Sequence, residues 1–143
     1  MIVGSGIDIA EVDRVRQAIE RYGDRFVNRV FTPVEVAYCL RHANRYERFA
    51  ARFAAKEAGM KALGVGWRRG VTWHDLEVSN APGGKPELKI SGKAAEICRA
   101  LGGQNIVLSL THSAAYAVAQ VLIEGADGMK VETILSIPKP VGT

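Results

Sequence analysis

Along the chain the apolar positions change period several times, and each change predicts a boundary between elements. In "IVGSGIDI" period-2 alternation sets Gly4, Gly6, Asp8 and Ala10 on one face and Val3, Ser5, Ile7 and Ile9 on the other, the pattern of a strand over residues 2–9. In "EVDRVRQAIERYG" the period becomes helical: Val12, Val15, Ala18 and Ile19 recur on one side, and Gly23 suits the position just past a helix end. "DRFVNRVF" predicts a second short helix. "TPVE", residues 32–35, is a capping box with Pro33 at the first helical position and Glu35 at the third, opening a helix to about His42. Residues 45–63 read as one long helix closed by Gly64 and followed by the glycine-rich "GVGWRRGV". "TWHDLEVSN", "APGGKP" and "ELKIS" predict strand, turn and strand. Ser91 is the expected cap of a helix through about Leu101, and "NIVLSLTHS" with "AYAVAQVLIEG" predicts a hairpin. No repeat or low-complexity segment interrupts this order. The expected organisation is one domain over residues 1–124 and a loosely held C-terminal tail over 125–143, where no firm pattern remains.

Composition narrows the class. The 143 residues are 48% hydrophobic and 24% charged, the balance of a folded domain rather than of a disordered chain. No run approaches the roughly 20 apolar residues of a membrane span, so no membrane is expected. The N-terminus lacks the basic and small-residue pattern of a secretory signal, which makes a cytoplasmic location the expectation. Cys39 and Cys98 stand singly inside predicted helices, without the spacing of a zinc site or a disulfide framework, and read as buried thiols. The net charge of +4 is unevenly spread. Residues 1–69 hold 13 Lys and Arg against 8 Asp and Glu, a balance of +5, and residues 70–143 hold 6 against 7, a balance of −1. A local positive field of this kind favours an anionic partner: nucleic acid, a phosphorylated metabolite or an acidic protein.

The chemistry concentrates where small residues line a face. At about 100° per residue, Glu57 and Lys61 share the sector of Ala50, Ala54 and Ala58, beside Phe53, while Arg52 and Lys56 lie on a different side. An alanine stripe lets another element approach closely, and the face of the first strand that holds Asp8 is equally free of bulk. If the two meet, Asp8 and Glu57 converge in a confined space. Two carboxylates at close range need a proton or a cation between them, and all-oxygen ligation points to magnesium, which commonly bridges one or two carboxylates to phosphate oxygens. Lys61 would then supply positive charge for a departing phosphate. The structural alternative makes Asp8 a turn acid and Glu57 with Lys61 a surface pair contributing about 0.2–0.5 kcal/mol. Spacing alone leaves both open. Arg14, Arg21, Arg25 and Arg29 recur near one or two turns without matching acids, either a solvated face or a seat for an acidic helix. Ser109, Thr111 and Ser113 share one face of a strand, with His112 opposite.

Taken in order, "GIDI" with Arg14 following, "RFAAKEAGMKAL", "GVTWHDLEV", "GGKPEL" and "LSLTHSAAYAVAQVLIE" resemble the short 4′-phosphopantetheinyl transferases over residues 3–124. "GID" alone is weak; the ordered set is strong and favours the catalytic reading. The resemblance implies an α+β fold in which an antiparallel sheet is packed against a long helix as a single transferase-like unit. It implies transfer of the phosphopantetheine arm of coenzyme A to a serine of apo acyl carrier protein, for fatty acid biosynthesis, with release of adenosine 3′,5′-bisphosphate. By the same resemblance, Asp8 and Glu57 match the acids that bind Mg²⁺, and Lys61 matches the lysine beside the diphosphate. His112 and Lys85 match segments near the coenzyme A phosphates and nucleotide, and Arg14, Arg21 and Arg25 match the surface that receives the carrier protein. The serine's proton falls to Glu57 or to a water on the metal. Longer relatives carry two such units, so a chain with one is expected to form a homotrimer with coenzyme A between protomers.

The competing class is a non-enzymatic basic module that binds nucleic acid. Its arginines lack the interleaved aromatics of a single-strand binder, no helix-turn-helix or RNA-binding signature appears, and the reading leaves Asp8 unexplained, so no nucleic-acid partner is expected.

Overall fold

The computed structural model of the protein describes residues 1–64, 66 and 70–126. Strand β1 (Ile2–Glu11) runs two residues beyond the predicted span and passes directly into α1 (Val12–Tyr22). Gly23, at φ +58°, breaks the chain between α1 and α2 (Asp24–Val30). Then come α3 (Pro33–Leu40), α4 (Arg45–Leu63), β2 (Leu76–Asn80), β3 (Pro86–Ile90), α5 (Gly92–Ala100), β4 (Gly103–His112) and β5 (Tyr116–Gly125). The strands form an antiparallel sheet ordered β1-β5-β4 and a separate antiparallel pair, β2-β3. The long helix α4 lies across the three-stranded sheet, which agrees with the expected α+β architecture.

What seats α4 is the absence of side chains on β1. A Cβ built on Gly6 would stand 2.0 Å from the carbonyl oxygen of Ala58, and one on Gly4 would stand 2.3 Å from that of Ala62. Strand backbone therefore touches helix backbone, as the two small-residue faces anticipate. Ala54 and Ala58 of the helix and Ala117 and Ala119 of β5 are fully enclosed, and Val121 and Ile123 continue the same inward face of β5. Phe31 and Phe49, with ring centroids 4.9 Å apart, anchor the other side of α4 to the short helices.

Three local details differ from the sequence pattern. Strand β2 begins at Leu76 rather than Thr72, because Thr72 and Asp75 form a capping box that winds Trp73–Asp75 into a 3₁₀ turn. The Asp75 carboxylate also accepts the amide N–H of Ala94 at 3.4 Å, so Asp75 caps α5 and the side chain of Ser91 does not. Helix α3 stops at Leu40, short of His42, as the amides of Arg41 and His42 turn to the carbonyls of Tyr38 and Cys39, the tightening typical of a last turn. The β4–β5 hairpin is as expected: the Ser113 hydroxyl accepts the amides of Ala115 and Tyr116 and closes the turn. Of the expected tail, residues 127–143 lie outside the described residues.

Replacing Gly6 with alanine should lower stability by about 3 kcal/mol, since the new methyl meets helix backbone that has no rotamer to change. Urea unfolding checks this: a shift of the midpoint at constant slope is expected, and an unchanged midpoint would show that the seam has room.

Candidate functional site

The glycine seam also sets the height of the polar residues. Gly4 lies over Ala62 and Gly6 over Ala58, so the next inward position of β1, Asp8, falls about one turn further toward the N-terminus of α4. Glu57 belongs to the interval between those levels and is half-buried. Lys61, one turn beyond Glu57, leans back along the helix as side chains on α-helices do. Its ammonium donates to Asp8 Oδ1 at 2.9 Å and to the carbonyl of Ile7 at 3.1 Å. Asp8 is 16% exposed and Lys61 54%, so the pair sits at a mouth open to a ligand rather than in the core.

The donor set suits a hard divalent cation. Asp8 and Glu57 are carboxylates, Asp8 Oδ2 holds no described hydrogen bond, and Mg²⁺ needs only one or two protein carboxylates when phosphate and water complete its shell. Among the described residues no cluster of three or more His, Cys, Asp or Glu could hold a metal by itself.

A second polar centre lies at the other edge of the sheet, in a cleft of about 170 Å³ lined by Arg48, Arg52, Asn80, Gly84, Pro86 and His112. The Arg52 guanidinium lies 3.8 Å from the ring centroid of Tyr38 and donates from Nη2 to Asn80 Oδ1 at 3.1 Å. Its Nε is buried and finds no acceptor among the described residues. Burial pushes this guanidinium below the usual arginine range, and it pushes the neighbouring Cys39 thiol up to about 12. Arg48 donates to the Tyr38 hydroxyl at 3.0 Å, and Nδ1 of His112 shares a hydrogen bond with Glu47 at 3.1 Å. Lys85 is exposed on the neighbouring turn, where Gly83 and Gly84 both take positive φ and the Lys85 carbonyl accepts the amide of Ala81. The cleft presents cations and donors, which suits a polyanion.

Arg14, Arg21 and Arg25 are all exposed, with Arg14 and Arg21 on α1 and Arg25 beyond the break at Gly23. The row is not free of acids, since Arg14 Nε lies 3.6 Å from Glu11; this pair is largely solvated and holds Arg14 weakly. Arg14 rims an apolar cleft of about 300 Å³ floored by Ile9, Val15, Ala18, Phe26 and Phe53. Charge at the rim and apolar surface beneath suit an amphipathic acidic helix. Two features escaped the sequence pattern: the partnership of Glu47 with His112, and the interior placement of Arg52 and Lys56, 3% and 0% exposed. Two cations four residues apart in residues 49–56, a stretch otherwise of alanine and phenylalanine, were the available signal.

A sequence model of the 4′-phosphopantetheinyl transferase superfamily matches residues 4–121. The chain is 59% identical over 124 residues to the holo-[acyl-carrier-protein] synthase of Solibacter usitatus, covering 87% of this chain and 99% of that protein. The crystal structure of the same-named enzyme from Neisseria meningitidis aligns with a TM-score of 0.78 at 31% identity, over 87% of this chain and 99% of that one. The structure from Bacillus anthracis in complex with CoA (3′,5′-ADP) aligns with a TM-score of 0.70 at 38% identity, over 88% of this chain and 99% of that one.

Arg52→Met keeps the length of the side chain and removes its charge. It should weaken binding of pyrophosphate by roughly tenfold, the equivalent of one hydrogen bond to a charged group. Titration calorimetry measures this, and equal affinities would exclude Arg52 from anion binding.

Proposed function

We propose a reaction for this chain, which belongs to the 4′-phosphopantetheinyl transferase superfamily. It transfers the 4′-phosphopantetheine arm of coenzyme A to a serine of apo acyl carrier protein, giving the holo carrier and adenosine 3′,5′-bisphosphate. The observation that carries this reading is the contact of Lys61 with Asp8 at 2.9 Å on a seam of glycine and alanine, one helical turn from Glu57. A surface ion pair needs no such seam.

The serine oxygen attacks the phosphorus that bears the pantetheine arm, and the bond to the bridging oxygen of the diphosphate breaks. Asp8 and Glu57 would hold Mg²⁺, which when bound offsets the charge of the diphosphate. Lys61 offers its ammonium to the leaving phosphate, where negative charge grows as the bond breaks; a compact point charge suits that task. Glu57 is the carboxylate of this chain to which we assign the serine proton. His112, Arg48 and Arg52 line the cleft assigned to the nucleotide, with Lys85 on its neighbouring turn. Arg14, Arg21 and Arg25 receive the acidic carrier protein. No described helix is long and apolar enough to cross a membrane, and we place the reaction in the cytoplasm, in fatty acid biosynthesis. The assembly we propose is a homotrimer with sites between protomers. Its support is the outer face of the sheet, where Ile7 and Ile9 are 61% and 62% exposed.

The direct test is mass spectrometry of an apo acyl carrier protein incubated with coenzyme A, Mg²⁺ and this protein. A gain of one phosphopantetheine, lost on chelation of the metal, is expected; no gain overturns the reading. Asp8→Ala and Glu57→Ala should each reduce turnover on the order of a hundredfold or more while the circular dichroism spectrum is retained. Lys61→Ala should lower kcat more than it raises KM for coenzyme A, because the charge it meets is that of the transition state. A change confined to KM would make Lys61 a binding residue.

Docking of the carrier has its own signature. Arg14→Glu should raise KM for the carrier roughly tenfold and leave that for coenzyme A nearly unchanged. Added salt should act likewise on the wild type and less on the variant, because part of the attraction is already gone. A carrier KM insensitive to both changes would remove Arg14 from the docking surface.

A further inference from the structure

Two opposite charges lie in the interior. Glu35 of α3 and Lys56 of α4 are both fully enclosed, with Lys56 Nζ 2.7 Å from Glu35 Oε1. Lys56 also donates to the carbonyls of Trp73 at 3.0 Å and Leu76 at 2.6 Å, so all three ammonium hydrogens are placed. Glu35 Oε1 accepts the amide of Thr32 at 2.8 Å and Oε2 that of Val78 at 2.8 Å. One pair thus ties the start of α3, the middle of α4, the Trp73–Asp75 turn and strand β2.

Such a pair gains little stability over apolar side chains of the same volume, because both ions must leave water. What it supplies is direction. The seam opposite, where β1 lies on α4, consists of Gly4, Gly6, Ala58 and Ala62, faces without side chains to resist rotation or sliding of the helix. Three acceptors at fixed distances from one ammonium resist both. Lys56 immediately precedes Glu57 and stands five residues before Lys61 on the same rigid helix. Arg52, one turn earlier on the buried stripe, bonds Asn80 of the same strand β2 and repeats the restraint.

We infer that the buried Glu35–Lys56 pair is a positioning element of the reaction site, fixing the rotation and height of α4 so that Glu57 and Lys61 meet Asp8. The inference rests on the roles proposed above for those three residues. It is tested with the full chain, apo acyl carrier protein, coenzyme A and Mg²⁺, using Lys56→Met and the isosteric Glu35→Gln. Thr32→Ala is the control for stability alone, since it removes the hydroxyl that accepts the Glu35 amide at 3.3 Å, together with the γ-methyl, and leaves both charged side chains in place. All proteins are assayed below their melting temperatures and corrected for folded fraction. Lys56→Met and Glu35→Gln should lower kcat tenfold or more while KM for the carrier stays within twofold, because the α1 surface is untouched. Thr32→Ala should melt earlier yet keep kcat within twofold. The inference is overturned if kcat of both pair variants stays within threefold of wild type, or if Thr32→Ala loses as much. Should Lys56→Met not fold, Glu35→Gln decides alone, and if neither folds the pair is a stability element and the inference fails. A wild type that transfers nothing overturns the reaction instead, a result distinct from any ratio between variants.

Discussion

The structure depends on a backbone-to-backbone approach. Because Gly4 and Gly6 carry no side chain, β1 comes close enough to α4 for helix carbonyls to occupy the space where Cβ atoms would stand. A helix drawn in this far is surrounded: 12 of the 19 residues of α4 are buried, so it cannot be amphipathic in the ordinary sense. Every polar residue on it must then either find partners inside or reach an edge. Arg52 and Lys56 do the first, Glu57 and Lys61 the second. The acids and cations of the site are consequences of one steric decision.

That decision was legible because it is written in residue size. Glycines at period 2 in a strand and alanines at period 4 in a helix each declare a face without bulk; the sequence pointed to Asp8 converging with Glu57 there, and the contact described is that of Lys61 with Asp8. The Glu35–Lys56 pair was not legible, since the capping box of Thr32 and Glu35 explains that glutamate locally. Its second oxygen bonds Val78, 43 residues away, a contact with no local trace. Glu47 and His112, 65 residues apart, were hidden likewise. The start of β2 was misplaced for the opposite reason: Thr72 and Asp75 satisfy one another's polar groups at short range, and local hydrogen bonding outweighed the alternation of the strand.

The cations divide by solvation, and so do their tasks. Arg14, Arg21 and Arg25 remain in water, where their field is screened within about 8 Å at physiological salt, and in the proposed docking they would serve encounter more than affinity. Lys56 is so enclosed that burial pulls its ammonium below the ordinary lysine range despite Glu35 beside it. Its value lies in geometry, not in a charge felt from outside. Lys61 is intermediate: anchored to β1, yet more than half exposed, as the proposed approach of an anion would require.

The distance between the two polar centres bears on assembly. Asp8 and Leu110 both pair with Ala119, from opposite sides of β5, so Asp8 and the cleft that Leu110 lines stand two strand spacings apart, about 10 Å. Along α4, Arg52 and Glu57 are five residues apart, about 7.5 Å of rise and some 140° of rotation. A ligand reaching from the arginines of the cleft to the acid pair of the same chain would have to wrap around a helix whose intervening faces are filled by core. An elongated ligand held straight meets no such obstacle if the cleft of one protomer faces the acid pair of the next. On the outer face of the sheet Ile7 and Ile9, flanking Asp8 in β1, are exposed, the apolar surface on which the proposed assembly would draw. This separation within one chain is the physical support for proposing sites between protomers.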